Sequence, residues 1–290
     1  MKAVTHNGKF HADEVFATVV LQKLCPDMQL TRTREPDAIA VADIVYDVGG
    51  VYDHAARRYD HHQLGARTRD DTGLIYSAFG LVWDHYGLEY CEGDEDVWRY
   101  IDDMFVRGID ADDNGEVATQ WDERAQEFPM TKVIDQLNPL PDSGEDSDAQ
   151  FWKAVELASH VLERMTRQVA SDFAVAREVR QAQAESLDSR YAELSRAVTM
   201  NAMISDIDGL EFLLFPDEAQ AKWLLYAVNI AGRSYESKCP LPESWAGLSG
   251  EELARVTGVT DAQFCHKNRF LAVAGTREGV LKLLEKALQS

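Results

Sequence analysis

Thr5-His6-Asn7-Gly8-Lys9-Phe10-His11-Ala12-Asp13-Glu14 is the stretch of sequence that decides the fold. A short apolar run at Ala3 and Val4 precedes it, and apolar residues recur at helical spacing from Val15 to Leu24. This order predicts a strand, a glycine-containing turn and a helix, with two histidines and two carboxylates at the carboxyl end of the strand. Ligand sites form at that end in open α/β sheets. We therefore predict that this stretch is one wall of a metal site.

The remainder of the first 115 residues alternates strand patterns with helical patterns, which predicts a parallel α/β sheet. Strand candidates lie at residues 28–33 and 39–46, and Pro36 falls in the connector between them. The second candidate leads directly into Asp47, so it places another carboxylate at the carboxyl edge of the sheet. A helical pattern near residue 100 runs into Asp110, which belongs to a further polar segment.

The second half of the chain predicts a change of architecture. Residues 148–188 are rich in alanine and carry apolar residues at helical spacing, which predicts one or two long helices that bridge two domains. Strand patterns then return, beginning with residues 197–203. We therefore predict a first domain at 1–190, which carries the candidate metal site, and a smaller α+β domain at 191–290.

The charge of the chain restricts its partners. The 290 residues carry a net charge of −21, from 50 acidic and 29 basic residues. Proteins that bind long duplexes depend on a basic surface, so this composition argues against that class and favours a short substrate. The sequence contains neither an apolar run of membrane-spanning length nor a signal-peptide pattern. Four scattered cysteines favour reduced thiols and a cytoplasmic location.

Histidines and aspartates from four separated segments form a candidate metal site. These residues are His6, His11, Asp13, Asp47, His61, His62 and Asp110. Imidazole and carboxylate ligands without thiolates favour Mn²⁺ or Mg²⁺ over structural zinc. Two such ions about 3.5–4 Å apart suit a phosphoryl-transfer reaction. Non-metal readings stay open for single residues, since Asp13 also suits a helix N-terminus and Asp110 a turn at a helix end.

Asp60-His61-His62 is the signature of the DHH phosphoesterases, and the chain resembles this family, which includes RecJ-type exonucleases and manganese pyrophosphatases. It more closely resembles the melanocyte-proliferating-gene (Myg) family. Four motifs in the family's order carry the resemblance: His6–Glu14, Asp47–Gly50, Arg58–Gln63 and Gly108–Gly115. The resemblance implies a DHH-type parallel-sheet domain, a smaller substrate-binding domain and an active-site cleft between them.

The C-terminal half resembles the same family. Residues 241–248 match its Leu-Pro-x-x-Trp-x-Gly-Leu loop, and residues 264–279 match its closing substrate-side segment. Ala274 stands where the family has glycine, and Lys238 stands where arginine is common. Both departures concern substrate binding rather than the metal site.

The resemblance also implies roles for the residues of the candidate site. One metal is held by His6, His11 and Asp47. The other is held by Asp13, Asp47, His61 and Asp110, so that Asp47 bridges the two ions. His62 contacts the substrate phosphate, Asp60 supports the histidine pair, and His266 and Arg277 reach the substrate from the second domain. Glu14 has no metal role in this scheme and is assigned to the start of the helix.

Together these features predict a phosphoesterase that uses two Mn²⁺ or Mg²⁺ ions and cleaves short RNA or DNA oligonucleotides, with the 3′–5′ exoribonuclease activity of eukaryotic family members. The alternatives are a phosphomonoesterase or pyrophosphatase-like hydrolase of small nucleotides, and a metal-binding scaffold without catalysis. Arg58 either binds phosphate through its planar guanidinium or pairs with Asp53 or Asp60. No membrane partner is expected, and a homodimer is compatible with the sequence.

Overall fold

The computed structural model describes residues 1–116, 127–217, 219–231 and 236–289. It divides into two compact units, Met1–Ala170 and Ser171–Ser290. Among the described residues, no helix combines the length and the apolar character that a membrane span requires.

The first unit alternates short strands with helices. Its strands are β1 (Lys2–Thr5), β2 (Gln29–Arg32), β3 (Ile44–Tyr46), β4 (Tyr52–Asp53) and β5 (Arg58–Tyr59). Its helices are α1 (Ala12–Leu24), α2 (Pro36–Val41), α3 (Ala78–Tyr90), α4 (Glu95–Ile101), a π-helical turn (Asp102–Val106), α5 (Arg107–Asp113) and α6 (Met130–Asp135). Helix α7 (Ser147–Glu185) begins in this unit and ends in the second. The prediction for 148–188 is therefore realised as one continuous helix.

The sheet of the first unit has the strand order β2-β1-β3-β5-β4. β1 pairs in parallel with β2 and β3, and β3 pairs in parallel with β5, but β4 is antiparallel to β5. The predicted parallel sheet is thus mixed, because a hairpin adds the antiparallel strand β4 at one edge. The predicted strand at 39–46 is also shorter than expected. Pro36 starts helix α2 instead, a position that suits proline because the first helical N–H has no partner inside the helix.

The core of the first unit is built around α1. Every residue of α1 from Ala12 to Leu21 is buried. The Phe16 ring packs on Phe79 of α3 and Phe105 of the π-helical turn, with ring centroids 5.4 and 5.0 Å apart. A helix that is buried on all sides has little freedom to move, so the polar residues at its N-terminus are held firmly against the end of the sheet.

The second unit contains a separate sheet with the order β6-β7-β8-β10-β9. Its elements are β6 (Tyr191–Glu193), α8 (Ala202–Ser205), β7 (Phe212–Asp217), β8 (Lys222–Ala227), a 3₁₀ turn (Glu243–Trp245), α9 (Gly250–Thr257), β9 (Ala262–Cys265), β10 (Leu271–Ala274) and α10 (Arg277–Ala287). Only β6 and β7 pair in parallel within it, as expected for an α+β unit. The predicted strand at 197–203 is wrong, since helix α8 begins within it.

Candidate metal centre

Three neighbouring parallel strands of the first unit end directly before a candidate ligand. His6 follows β1, Asp47 follows β3 and Asp60 follows β5. Because β1, β3 and β5 are adjacent and parallel, their carboxyl ends meet at one edge of the sheet. The same edge receives the N-terminus of α1, which carries Asp13. The fold therefore brings four sequence segments to one place.

Asp47 lies at the centre of this arrangement. Its Oδ2 is 3.0 Å from His6 Nε2, and its Oδ1 is 3.4 Å from His61 Nε2 and 3.6 Å from His62 Nδ1. The backbone of Asp47 has a φ of 55°, in the left-handed region that residues other than glycine, asparagine and aspartate rarely adopt. This conformation turns the chain sharply after β3. Strained backbone of this kind clusters at functional sites.

The N-terminus of α1 supplies the second wall. The backbone N–H of His11 donates to both carboxylate oxygens of Glu14, at 3.0 and 2.9 Å. The same carboxylate lies 3.0 Å from His6 Nε2. Glu14 thus stabilises the start of the helix, as predicted, and also faces the cluster, which the scheme implied by the resemblance did not include. Asp13 is 1% exposed and has its carboxylate in the interior of the site.

Asp60 organises the histidine pair. Its Oδ1 accepts hydrogen bonds from the backbone N–H of His61 at 2.8 Å and from His62 Nδ1 at 2.7 Å. Its Oδ2 accepts from the backbone N–H of Gly50, whose positive φ of 67° favours glycine at this turn. Asp60 therefore orients His62 through one ring nitrogen and leaves the other for a ligand.

The ligand atoms form three groups in which all atoms lie within 4.8 Å of one another. The groups are His6, His11, Glu14 and Asp47; Asp47, Asp60, His61 and His62; and His11, Asp13 and Asp113. Asp47 belongs to the first two groups and His11 to the first and third. Ligands shared between neighbouring groups are what a dinuclear site requires.

The residues present fit divalent cations. Several buried polar atoms in the described residues lack a hydrogen-bond partner, and four of them belong to this cluster: Asp13 Oδ1, Asp13 Oδ2, Asp47 Oδ1 and His61 Nε2. Buried polar atoms normally have hydrogen-bond partners, so a concentration of such atoms without one fits a site that could bind a cation. Carboxylates and imidazoles without thiolates are suited to Mn²⁺ and Mg²⁺.

Electrostatics supports the same conclusion. Burial, together with the negative charges of Asp47, Asp113 and Glu14, raises the pKa of Asp13 well above its usual value. Burial opposes the charged form of His6, but Asp47 and Glu14 outweigh it and raise the pKa of His6 to about 10. In the metal-free protein, protons on the histidines thus provide the positive charge that the carboxylates require.

The metal-free protein should become less stable as the pH rises from about 7 to about 8.5. The pKa of His6 is about 10 in the folded state against 6.5 for the free side chain, so folding retains a proton that unfolding releases. The stabilisation is complete below pH 6.5 and is lost as the pH passes through 10, at up to about 1.4 kcal/mol per pH unit. The raised pKa values of His61 and His62 act in the same direction.

Urea unfolding in the presence of a chelator, measured across this pH range, tests the prediction. His6→Gln is the control, because it should make the dependence weaker and leave only the contributions of His61 and His62. A wild-type stability that stays constant or increases with pH would contradict it.

Asp110 lies apart from the three ligand groups. It sits inside α5 and is fully buried, and its Oδ2 accepts from Arg69 Nη2 at 2.7 Å. Its Oδ1 accepts from the Ser77 hydroxyl at 2.6 Å and from the Ser77 backbone N–H at 3.0 Å. Asp113, one helical turn later, has its Oδ2 3.2 Å from His61 Nε2. The Asp110 carboxylate is thus fully engaged by protein groups, whereas the Asp113 carboxylate faces the cluster. The metal role of Asp110 stays a prediction, and Asp113 is a second candidate in the same motif.

The predicted substrate-binding residues are placed as follows. The Arg58 guanidinium donates to the backbone carbonyls of Ala42, Ala56 and Arg57, so it supports the β3–β5 region and does not line the cavity. In the second unit, His266 packs against Phe270 with ring centroids 4.3 Å apart, and Arg277 pairs with Glu193. The roles of His266 and Arg277 toward a substrate stay predictions.

The cluster forms the floor of a cavity of about 760 Å³. Besides the predicted ligands, the lining includes basic side chains that the sequence did not single out, namely Lys9, Arg34 and Lys132. Only Lys9 lies inside a recognised motif. The other two are isolated in the sequence, and no pattern there separates them from surface residues.

The sequence of the chain is similar to those of known proteins. The sequence matches the family model MYG1_exonuc, described as an uncharacterised protein family (UPF0160), over residues 2–288. The chain belongs to this family. The MYG1 protein of Caenorhabditis elegans is 31% identical over 98% of this chain and 94% of the relative. The MYG1 protein of Chlamydia trachomatis is 32% identical over 98% of this chain and 96% of the relative.

A human relative carries a functional name. The MYG1 exonuclease of Homo sapiens is 32% identical over 98% of this chain and 85% of the relative. The predicted membership of the Myg family is therefore confirmed. A solved structure of a pGpG-specific phosphodiesterase from Vibrio aligns over 99% of this chain and 96% of that one, at 14% identity and a TM-score of 0.30. That likeness is too low to support an inference.

Proposed function

We propose that the chain is a divalent-metal-dependent phosphoesterase that hydrolyses phosphodiester bonds of short oligonucleotides, acting as a 3′–5′ exoribonuclease-like enzyme. The observation that carries the proposal is the set of four buried, unpaired ligand atoms at the floor of a 760 Å³ cavity. Membership of a family that contains a named exonuclease supports phosphoester hydrolysis as the activity class. A cavity of this size suits a nucleotide or a short oligonucleotide.

The proposed site holds two Mn²⁺ or Mg²⁺ ions. The first is assigned to His6, His11, Glu14 and Asp47, and the second to Asp13, Asp47, His61 and Asp113. When bound, the two ions supply Lewis-acid activation of water and neutralise charge that develops on the phosphate oxygens. Asp60 fixes the His62 ring through Nδ1, and the exposed side of His62 binds the phosphate.

The charge of the chain restricts the substrate further. A net charge of −21 repels a long polyanion outside the cavity, so we assign short, single-stranded substrates to the site. As the family resemblance implies, we also assign substrate contacts to His266 and Arg277.

A reloading experiment tests the function. The protein is stripped with a chelator, reloaded with Mn²⁺ or Mg²⁺, and incubated with short RNA, short DNA, dinucleotides, nucleoside monophosphates and pyrophosphate. We expect metal-dependent release of mononucleotides from short RNA or DNA, without hydrolysis by the stripped protein.

Each other outcome identifies an alternative. Release of inorganic phosphate from nucleoside monophosphates or pyrophosphate would favour the phosphomonoesterase or pyrophosphatase-like reading. Tight metal binding without hydrolysis of any substrate would favour the scaffold. The absence of bound metal after reloading would overturn the metal centre itself.

A further inference from the structure

We propose that Lys9, Arg34 and Lys132 form a subsite for a second phosphate group of the substrate, next to the phosphate that is cleaved. The site would then prefer oligonucleotides with two consecutive phosphodiester groups over those with one. This inference rests on the proposed function and assigns a substrate feature to residues that have no part in the metal cluster.

The three basic residues, which we call the basic rim, line the same cavity as the cluster but come from different segments. Lys9 precedes α1, Arg34 follows β2, and Lys132 lies in α6. All three are exposed, whereas Asp13, Asp47 and Asp60 are buried. The acids therefore lie at the floor of the cavity and the bases at its mouth.

Arg34 is fixed close to a metal ligand. Its Nη1 donates to the backbone carbonyl and, at 3.1 Å, to the side-chain oxygen of Asn7. His6 Nδ1 lies 3.2 Å from the same backbone carbonyl. A guanidinium has five N–H donors in a planar fork, and these contacts use one of its nitrogens. The others are available for the bidentate contact that arginine makes with phosphate.

The lysines lie on the side of the cavity formed by α6. Lys9 Nζ is 2.8 Å from Asp135 Oδ1, and the two side chains are 63% and 42% exposed. An ion pair this exposed contributes little stability, so it positions the ammonium without preventing contact with another anion. Lys132 precedes Asp135 by three residues on α6, and in the described part of the chain its ammonium takes part in no ion pair or hydrogen bond.

The charge of the cavity, once two cations are bound, favours a substrate that carries more than one phosphate group. The cavity lining contains six aspartates and three basic residues, a formal charge of −3 with neutral histidines. Two divalent cations at the floor change this to +1. The loaded cavity thus has two separated positive regions, the metal cluster and the basic rim. A single phosphate placed at the floor satisfies only the first of them.

The test compares a dinucleoside monophosphate with the matching trinucleoside diphosphate, using the Mn²⁺-loaded full chain. Both hydrolysis and equilibrium binding are measured for wild type, Arg34→Gln, Lys132→Gln and the double variant. Lys153→Gln is the matched control, because Lys153 is exposed on α7 and does not line the cavity.

We expect the wild type to favour the trinucleotide by roughly tenfold in kcat/KM and in Kd, as one charge-assisted contact provides. The double variant should lose most of this preference through KM, with less than a twofold change on the dinucleotide. The slope of log Kd against log salt for the trinucleotide should fall by about 0.7 for each cation removed. Lys153→Gln should leave all three quantities unchanged.

Two results would overturn the subsite: equal binding of both oligonucleotides by wild type, or an undiminished preference in the double variant. Failure of the proposed function gives a different result, in which wild type hydrolyses neither substrate. In that case the binding measurements still decide the subsite, since they do not depend on turnover.

Discussion

Asp110→Asn is expected to lower the free energy of unfolding by about 3 kcal/mol, because it removes one partner of a buried ion pair. Asp110 is fully buried and accepts hydrogen bonds from Arg69 and Ser77. Arg69 is itself only 4% exposed and keeps Asp102 as its other partner, with contacts of 2.6 and 2.9 Å. The cost therefore lies at the lower end of the range for such pairs.

Asp113→Asn is the matched variant, one turn further along α5. Its carboxylate faces His61 Nε2 at 3.2 Å. Burial raises the pKa of Asp113, and the negative charge of Asp47 adds to this effect although His61 opposes it. Removing that charge should leave the metal-free protein as stable as wild type, or more so. The affinity for Mn²⁺ should fall at least tenfold, as expected when a ligand is lost.

Urea unfolding without metal and Mn²⁺ titration of both variants measure the two effects separately. The opposite pattern, a stable Asp110→Asn protein that has lost Mn²⁺ and an Asp113→Asn protein that retains it, would return Asp110 to the ligand set. The pair of variants therefore decides between the assignment implied by the sequence motif and the one that the structure supports.

The different surroundings of Asp110 and Asp113 cannot be predicted from the sequence. Both lie in the motif at 108–115, and their spacing puts them on the same side of a helix. What separates them is Arg69, 41 residues before Asp110, in a segment without a recognisable pattern. Gly80 is a second long-range partner of Asp110. A larger residue there would displace the carboxylate, because a Cβ would lie 2.3 Å from Asp110 Oδ1. Such long-range partners leave no periodic signal in one sequence.

The residues that follow strands are easier to predict from the sequence than the different surroundings of Asp110 and Asp113 in α5. His6 and Asp47 each follow a short apolar run, and the rule that parallel strands place their carboxyl ends together groups them. Asp60 follows β5, whose sequence Arg58-Tyr59 is not an apolar run, so its place at the same edge is known only from the structure. The strand boundaries were less accurate. The run at 39–46 is apolar except for Asp43, and a short apolar run does not distinguish a strand from a buried helix. Helix α2 and β3 divide it at Ala42 and Asp43.

Asp47→Asn is expected to have the largest effect on activity. Asp47 is the one residue shared by the His6 and the His61 ligand groups, and its carboxylate contacts three histidines. Asparagine tolerates the left-handed backbone at this position, so the turn after β3 should persist. The amide offers one acceptor in place of two charged oxygens, so it cannot hold two cations together.

We expect Mn²⁺-dependent hydrolysis by Asp47→Asn to fall by a factor on the order of 1,000, since both metal positions lose a ligand. The metal content after reloading and dialysis should fall below one ion per chain. Asp112→Asn is the control, because Asp112 lines the same cavity but belongs to none of the ligand groups. It should retain its metal and lose less than roughly tenfold in rate through the change in cavity charge. A protein with Asp47→Asn that still binds two ions and hydrolyses at a comparable rate would show that the two metal positions do not share this carboxylate.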